Sequence, residues 1–294
     1  MTFDWLFMII RKPAVSGLFY DNDPENLRKT IENCFTNDLG PGKIPILAKS
    51  NENSSKDKKI YGAIVPHAGY TYSGPVAAHA YYKLVENGFP ETFIILCPNH
   101  TGLGTGISIF YEGSWETPLR NVKIDEEFSK ELMRNSDIIA PDFQAHLKEH
   151  SCEVHLPFLQ YFSNDFKIVP IVMWMQDIAS SEEVAKGIVK VAKDLKTSIS
   201  IIASTDLTHY AHHEVASTQD KLLLDKISKM DEKGLLENIE NFNITMCGYG
   251  PTIATIKATR ELGADKCNIL KYGTSGNISG DLSSVVGYCS GIFI

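Results

Sequence analysis

The chain has 294 residues, 43 % of them hydrophobic and 22 % charged, with a formal net charge of −8. That balance argues against a nucleic-acid groove and against an anionic membrane surface as partner, since both call for clustered Lys and Arg. The six cysteines, Cys34, Cys97, Cys152, Cys247, Cys267 and Cys289, form no CxxC pair. A chain this long has no need of disulfide staples, so a reducing cytoplasm is the expected location.

Residues 1–10 are mostly apolar, but the run is about half of what a bilayer span needs and Asp4 interrupts it. Arg11 and Lys12 follow the run rather than precede it, unlike a signal peptide. It reads as an added strand or helix against the body, or as the product of an upstream start codon. Residues 49–59 are wholly polar, can bury nothing and read as an exposed loop insert. Four short apolar runs, 61–66, 92–97, 166–174 and 198–203, read as strands covered on both faces. Pro170 within the third is expected at an irregular or edge position. Helical patterns fall between them at 75–87, 125–135, 180–193, 214–230 and 251–262. The second has acidic residues in its first turn, and the third opens Ser-Ser-Glu-Glu, close to a capping box. Residues 283–294 read as a closing strand. Alternating strands and helices predict one α/β domain over residues 1–294, with a central, mainly parallel sheet flanked by helices.

In such sheets ligands sit outside the carboxyl ends of the strands. Three of the predicted strands deliver a histidine there: His67 after 61–66, His100 after 92–97, and His209 after 198–203. Any one of them alone reads more simply as a hydrogen-bonded or solvated loop residue, but three in matching positions point to a shared site. Neutral imidazole is the commonest ligand of transition metals, and two or three histidines with open positions make a catalytic arrangement. Asp206 stands three residues before His209, placed either to hold that ring in one tautomer or to cap a helix. Cys247, in Met-Cys-Gly-Tyr-Gly-Pro just ahead of a helix, has a thiolate favoured by the helix dipole and suited to Fe, Cu or Zn; the plainer alternative is a small buried hydrophobe. Cys34, Cys97, Cys267 and Cys289 read as such hydrophobes. A further cluster, EHSCEVHLP at 149–157, is not HExxH, because its histidines are five apart. Glu149, Glu153 or His150 either line the pocket as acid–base groups or belong to a solvated helix face ended by Pro157.

PAVSGLFY at 13–20, PHAGYTYSG at 66–74, PNH at 98–100, EHSCEVHLP at 149–157, STDLTHY at 204–210 and Cys247-Gly248 resemble, in order, the motifs of the Memo family. The resemblance runs from about Pro13 to the last strand. It implies one α/β domain similar in fold to the class III extradiol dioxygenases, which open catechol rings with non-haem iron. It also implies metal-type residues at His67, His100 and Cys247, with His209 lining the same pocket. Where those dioxygenases have a glutamate as third ligand, this chain has a cysteine. Three functions are open on this reading. One is an oxidoreductase holding Fe(II), or Cu, on His67, His100 and Cys247, with His209 as general acid–base group. The second is a non-catalytic protein that keeps the pocket for a peptide or small ligand. The third is a hydrolase with Cys247 as nucleophile and His209 as base.

Overall fold

The computed structural model describes residues 9–48 and 59–294. Its strands are β1 (Ile10–Arg11), β2 (Gly62–Val65), β3 (Thr92–Pro98), β4 (Ile107–Ile109), β5 (Ser114–Glu116), β6 (Asn121–Ile124), β7 (Ile139–Pro141), β8 (Lys167–Met173), β9 (Ile199–Ser204), β10 (His209–Ala211), β11 (Cys267–Thr274) and β12 (Val285–Phe293). Its helices are α1 (Pro24–Thr36), α2 (Tyr70–Asn87), α3 (Glu126–Arg134), α4 (Gln144–Leu147), α5 (Leu156–Phe162), α6 (Ile178–Leu195), α7 (His213–Ser228), α8 (Glu232–Phe242), α9 (Tyr249–Leu262) and α10 (Gly276–Ser279).

The four apolar runs form the middle of one sheet. β6, β8, β3, β9 and β2 lie side by side, each neighbouring pair parallel. Antiparallel partners finish both sides: β12 on β2, carrying β10 and β11, and β5 on β6. Helices cover both faces, so successive side chains of a central strand enter different cores. In β3, Phe93, Ile95 and Cys97 share a core with α1, α2 and α5, whereas Ile94 and Leu96 share one with α3, α6 and α9. Burial on both faces explains why these strands read as continuous apolar runs.

Pro170 lies inside β8, opposite Ile95 of β3. It falls where the other partner of β8 changes from β6 at Ile168 to β4 at Ile171. Its missing N–H faces that gap, so the position is irregular rather than at an edge.

The expected helices are present with altered starts. The helix expected from residue 75 begins at Tyr70, whose N–H is taken by the Phe19 carbonyl at 2.8 Å, and Pro75 sits inside it. A Cβ on Gly74 would stand 2.5 Å from Cys34 Sγ, so the close approach of α1 to α2 requires glycine there. The helix expected from residue 180 begins at Ile178. Its cap is Asp177, whose carboxylate accepts from the Ser180 N–H at 2.9 Å, and the Ser-Ser-Glu-Glu run lies within the first turns.

Most of the apolar start and the polar insert, residues 1–8 and 49–58, lie outside the described residues; Ile10–Arg11 pairs with β5. No described helix is long and apolar enough to cross a membrane. One expectation fails outright: Cys97 and Cys152, both fully buried, form a disulfide across 55 residues. The turn before α5 runs against the end of β3, where Ser151 Oγ lies 3.1 Å from the Pro98 carbonyl oxygen. That contact brings together two cysteines which spacing alone does not pair. Cys34, Cys267 and Cys289 are free and buried, as expected of small hydrophobes.

Candidate metal centre

The central strands end level, with Val65 opposite Ser204 and Leu96 opposite Ala203. The chain therefore leaves the sheet at one edge, placing His67 two residues past β2 and His100 two residues past β3. His150, on the turn before α5, joins them. One ligand nitrogen from each of His67, His100 and His150 lies within 4.8 Å of the other two. The rings of His100 and His150 stack with centroids 4.7 Å apart, and the His67 ring meets both edge-on. His67 is buried, whereas the side chains of His100 and His150 are 32 % and 21 % exposed, so the cluster opens on one side.

Glu149 orients this pair. It is fully buried and accepts from the His100 N–H at 2.6 Å, His100 Nδ1–H at 2.9 Å, the His150 and Ser151 N–H groups at 3.0 Å each, and the Ser151 hydroxyl at 2.8 Å. Burial by itself would raise its pKa; the hydrogen bonds and charge of His100, with the charge of His150, outweigh burial and hold it at about 2. With Nδ1 of His100 committed to Glu149, Nε2 is left for a ligand.

Neither glutamate lines the pocket, and neither belongs to a solvated helix face. Glu153 is also fully buried, paired with Arg11, and it accepts from Ala14 N–H at 2.7 Å, Val15 N–H at 3.1 Å and the Tyr20 hydroxyl at 2.5 Å. Arg11 lies over the Trp115 ring at 4.3 Å and donates to the carbonyls of His146 and Glu149. The 13–20 motif thus clamps the turn that carries Glu149 and His150. Pro157 opens α5 rather than ending a helix.

Cys247 Sγ stands 3.3 Å from His67 Nε2 and 3.2 Å from the Asp206 N–H. The helix dipole does not make it a thiolate: burial first, then the neighbouring Asp206 carboxylate, push the thiol up. Asp206 does not orient His209, nor does it cap a helix. Its carboxylate accepts from the His67 N–H at 2.9 Å and lies 4.0 Å from His67 Nε2, while burial pushes its pKa up to about 6. The Nδ1 of His209 faces the carbonyls of Leu207 at 2.7 Å and Thr245 at 2.9 Å, so backbone oxygens set that ring. The imidazole against Cys247 is that of His67, which removes the Cys247–His209 pairing a hydrolase would use.

Burial, then the charges of His150 and His100, hold His67 well below the usual histidine range; burial brings His150 down to about 4. Both rings are therefore neutral at pH 7. Metal–nitrogen bonds of about 2.1 Å place neighbouring ligand nitrogens about 3.0–3.4 Å apart, and Zn-type N and S ligands about 3.5 Å apart. The His67–Cys247 separation matches, and the three imidazole nitrogens, within 4.8 Å of one another, would draw closer on binding. Neutral nitrogens beside a thiol suit a transition metal and disfavour Mg²⁺ and Ca²⁺.

Of the sequence-derived set, the structure joins His67 to both His100 and Cys247, and it brings His150, expected at most as a pocket-lining acid–base group, into ligand distance of His67 and His100. A ligand role for His150 is hard to find in sequence because it lies on a turn rather than at a strand end. Of the surrounding residues, Glu149 is expected as a possible acid–base group, whereas His155 and Ser204 are marked only by lying inside the two long motifs.

A family model described as Memo-like protein matches residues 11–292. A MEMO1 family protein of Methanobrevibacter smithii is 53 % identical over 285 residues, covering 97 % of this chain and all of that one. One from Methanothermobacter thermautotrophicus is 50 % identical over 280 residues, 95 % and 99 % of the two chains. The crystal structure of the uncharacterized protein JW3007 from Escherichia coli K12 superposes with a TM-score of 0.55 at 13 % identity, over 80 % of this chain and 100 % of that one, a likeness of fold. A family match across nearly all the described residues, together with about 50 % identity to full-length relatives, shows that the chain belongs to the Memo family.

Proposed function

We propose that this chain is a metal-dependent oxidoreductase that holds Fe(II), or alternatively copper, on His67, His100 and a third ligand drawn from His150 and Cys247. The observation that carries the reading is three imidazoles within 4.8 Å of one another, two of them held neutral by burial and one flanked by a thiol. Bound there, a redox metal would supply one-electron chemistry and activation of oxygen or of a coordinated substrate. The chain's own residues do the rest. Glu149 orients His100, and the carbonyls of Leu207 and Thr245 hold Nδ1–H of His209 and leave Nε2 to exchange a proton. Asp206, poised near 6, is a second proton-holding group beside His67. Metal analysis after anaerobic Fe(II) loading tests this. Wild type should retain about one equivalent that the His67→Ala/Cys247→Ser variant lacks; equal metal content in the two would refute it.

A second reading is a non-catalytic pocket for a small molecule or peptide. The exposed aromatic side chains of Trp174, just after β8, and Tyr210, next to His209 in β10, favour it. Metal-dependent oxygen consumption with any substrate would remove it. We place the protein in the cytoplasm, with the Cys97–Cys152 disulfide as the one observation that weighs against it.

A further inference from the structure

Behind His67 runs a buried chain of side chains that the metal reading does not use. Ser204 Oγ lies 2.7 Å from the Ser151 carbonyl, 2.7 Å from His67 Nδ1 and 2.8 Å from His155 Nε2. His155 Nδ1 in turn lies 2.6 Å from the Tyr81 hydroxyl. Ser204, His155, Tyr81 and His67 are all buried.

A hydroxyl has one proton to give and two lone pairs to receive with, and a carbonyl oxygen can only accept. The Ser204 proton therefore goes to Ser151, and both ring nitrogens that face Oγ must donate to it. His67 then carries its proton on Nδ1 and His155 carries its own on Nε2. The Nδ1 of His155 is left as an acceptor and takes the Tyr81 proton. One backbone carbonyl thus sets the direction of four hydrogen bonds. With the opposite tautomer of His67, Ser204 would have to turn its proton to that ring, and its bond to the Ser151 carbonyl would be lost.

We propose that Ser204 is a positioning residue that fixes His67 as the Nδ1–H tautomer, so that the bare Nε2 lone pair faces Cys247 and the histidine cluster before any metal arrives. Tyr81 and His155 form the outer leg of the same network and hold Ser204 in its accepting role. The functional meaning rests on the metal-site reading, but the tautomer is a property of the metal-free chain. Second-shell partners of this kind usually change metal affinity by 10- to 100-fold when removed.

The test is long-range 1H–15N correlation of metal-free protein labelled with 15N-histidine, assigned through His67→Asn and His155→Asn. The expected spectrum shows Nδ1 protonated and Nε2 bare on His67, and the reverse on His155. Protonated Nε2 on His67 in wild type overturns the proposal. In Ser204→Ala the His67 signals should become those of mixed tautomers, and Zn(II) affinity, read by chelator competition, should fall 10- to 100-fold. Ser204→Thr should preserve both. An unchanged His67 tautomer in Ser204→Ala overturns the role of Ser204. If that variant does not fold, Ser204→Cys, which keeps the shape with a weak acceptor, gives the same comparison. A wild type with the expected tautomers that binds no Zn(II), Fe(II) or copper refutes the metal reading and leaves the tautomer assignment standing.

Discussion

Replacing Cys97 and Cys152 together by alanine cuts the covalent tie between the strand that leads to His100 and the turn that carries Glu149 and His150. The bond closes a loop spanning 55 residues. The chain-entropy relation gives roughly 14 cal/mol/K of unfolded-state entropy for that length, or about 4 kcal/mol at 25 °C as an upper value. Truncating two fully buried side chains adds about 1 kcal/mol for the small voids left behind. The expected loss of about 4–5 kcal/mol is a large share of the roughly 5–15 kcal/mol that holds a typical domain together. Urea unfolding should place the oxidised protein well above both the double variant and the wild type in excess dithiothreitol, with those two close together. Metal affinity should respond much less, within about tenfold. Glu149 ties His100 to the same turn through two hydrogen bonds that do not involve the sulfurs, and side-chain orientation of that kind is what sets second-shell effects on affinity. Identical urea midpoints with and without dithiothreitol would refute the stability argument. Complete loss of Zn(II) binding on reduction would refute the claim that Glu149, not the disulfide, positions the pair.

Glu149→Gln turns an amide NH₂ toward donors that now meet a carboxylate oxygen; it should cost about 2–3 kcal/mol in urea unfolding and lower Zn(II) affinity 10- to 100-fold in chelator competition. Arg11→Met leaves Glu153 charged in a fully buried site and should destabilise by about 3–5 kcal/mol, whereas Arg11→Met/Glu153→Leu should recover part of that loss at the same midpoint measurement. Acid should unfold the protein through its buried neutral histidines. Burial lowers His146 and His155 to about 3, below the ordinary value of about 6.5. A lowered folded value means that this stabilisation is complete above pH 6.5 and is lost as pH falls from 6.5 toward 3, at about 1.4 kcal/mol per pH unit for each ring. His146 packs edge-on against the rings of Phe110 and Trp115, and His146→Phe should flatten the slope of stability against pH between 6 and 4; an unchanged slope would mean that this ring does not titrate with unfolding.

The central sheet was legible because two-sided burial leaves a plain signature: β3 and β8 show unbroken apolar runs where a half-exposed strand would alternate. The short strands β4, β5 and β7, of three residues each, leave no period to detect, and β11 is half-buried along most of its length and so lacks the apolar run. Within the site, His67 and His100 could be placed because strand ends are fixed by the same periodicity. His150 could be named only as a possible pocket-lining group and not as a ligand, since its position follows from a turn that the buried Glu149 carboxylate holds. The fate of Asp206 shows the limit most clearly. Its spacing from His209 suggests a local partnership, but it reaches instead across 139 residues to the backbone of His67. Sequence distance is a poor guide at the carboxyl edge of a parallel sheet, because neighbouring strands there come from remote parts of the chain. Val65 and Ser204 stand opposite each other in β2 and β9, so the residues that follow them, His67 and Asp206, emerge as neighbours. The register between strands, rather than the spacing within a motif, determines which side chains meet at this centre.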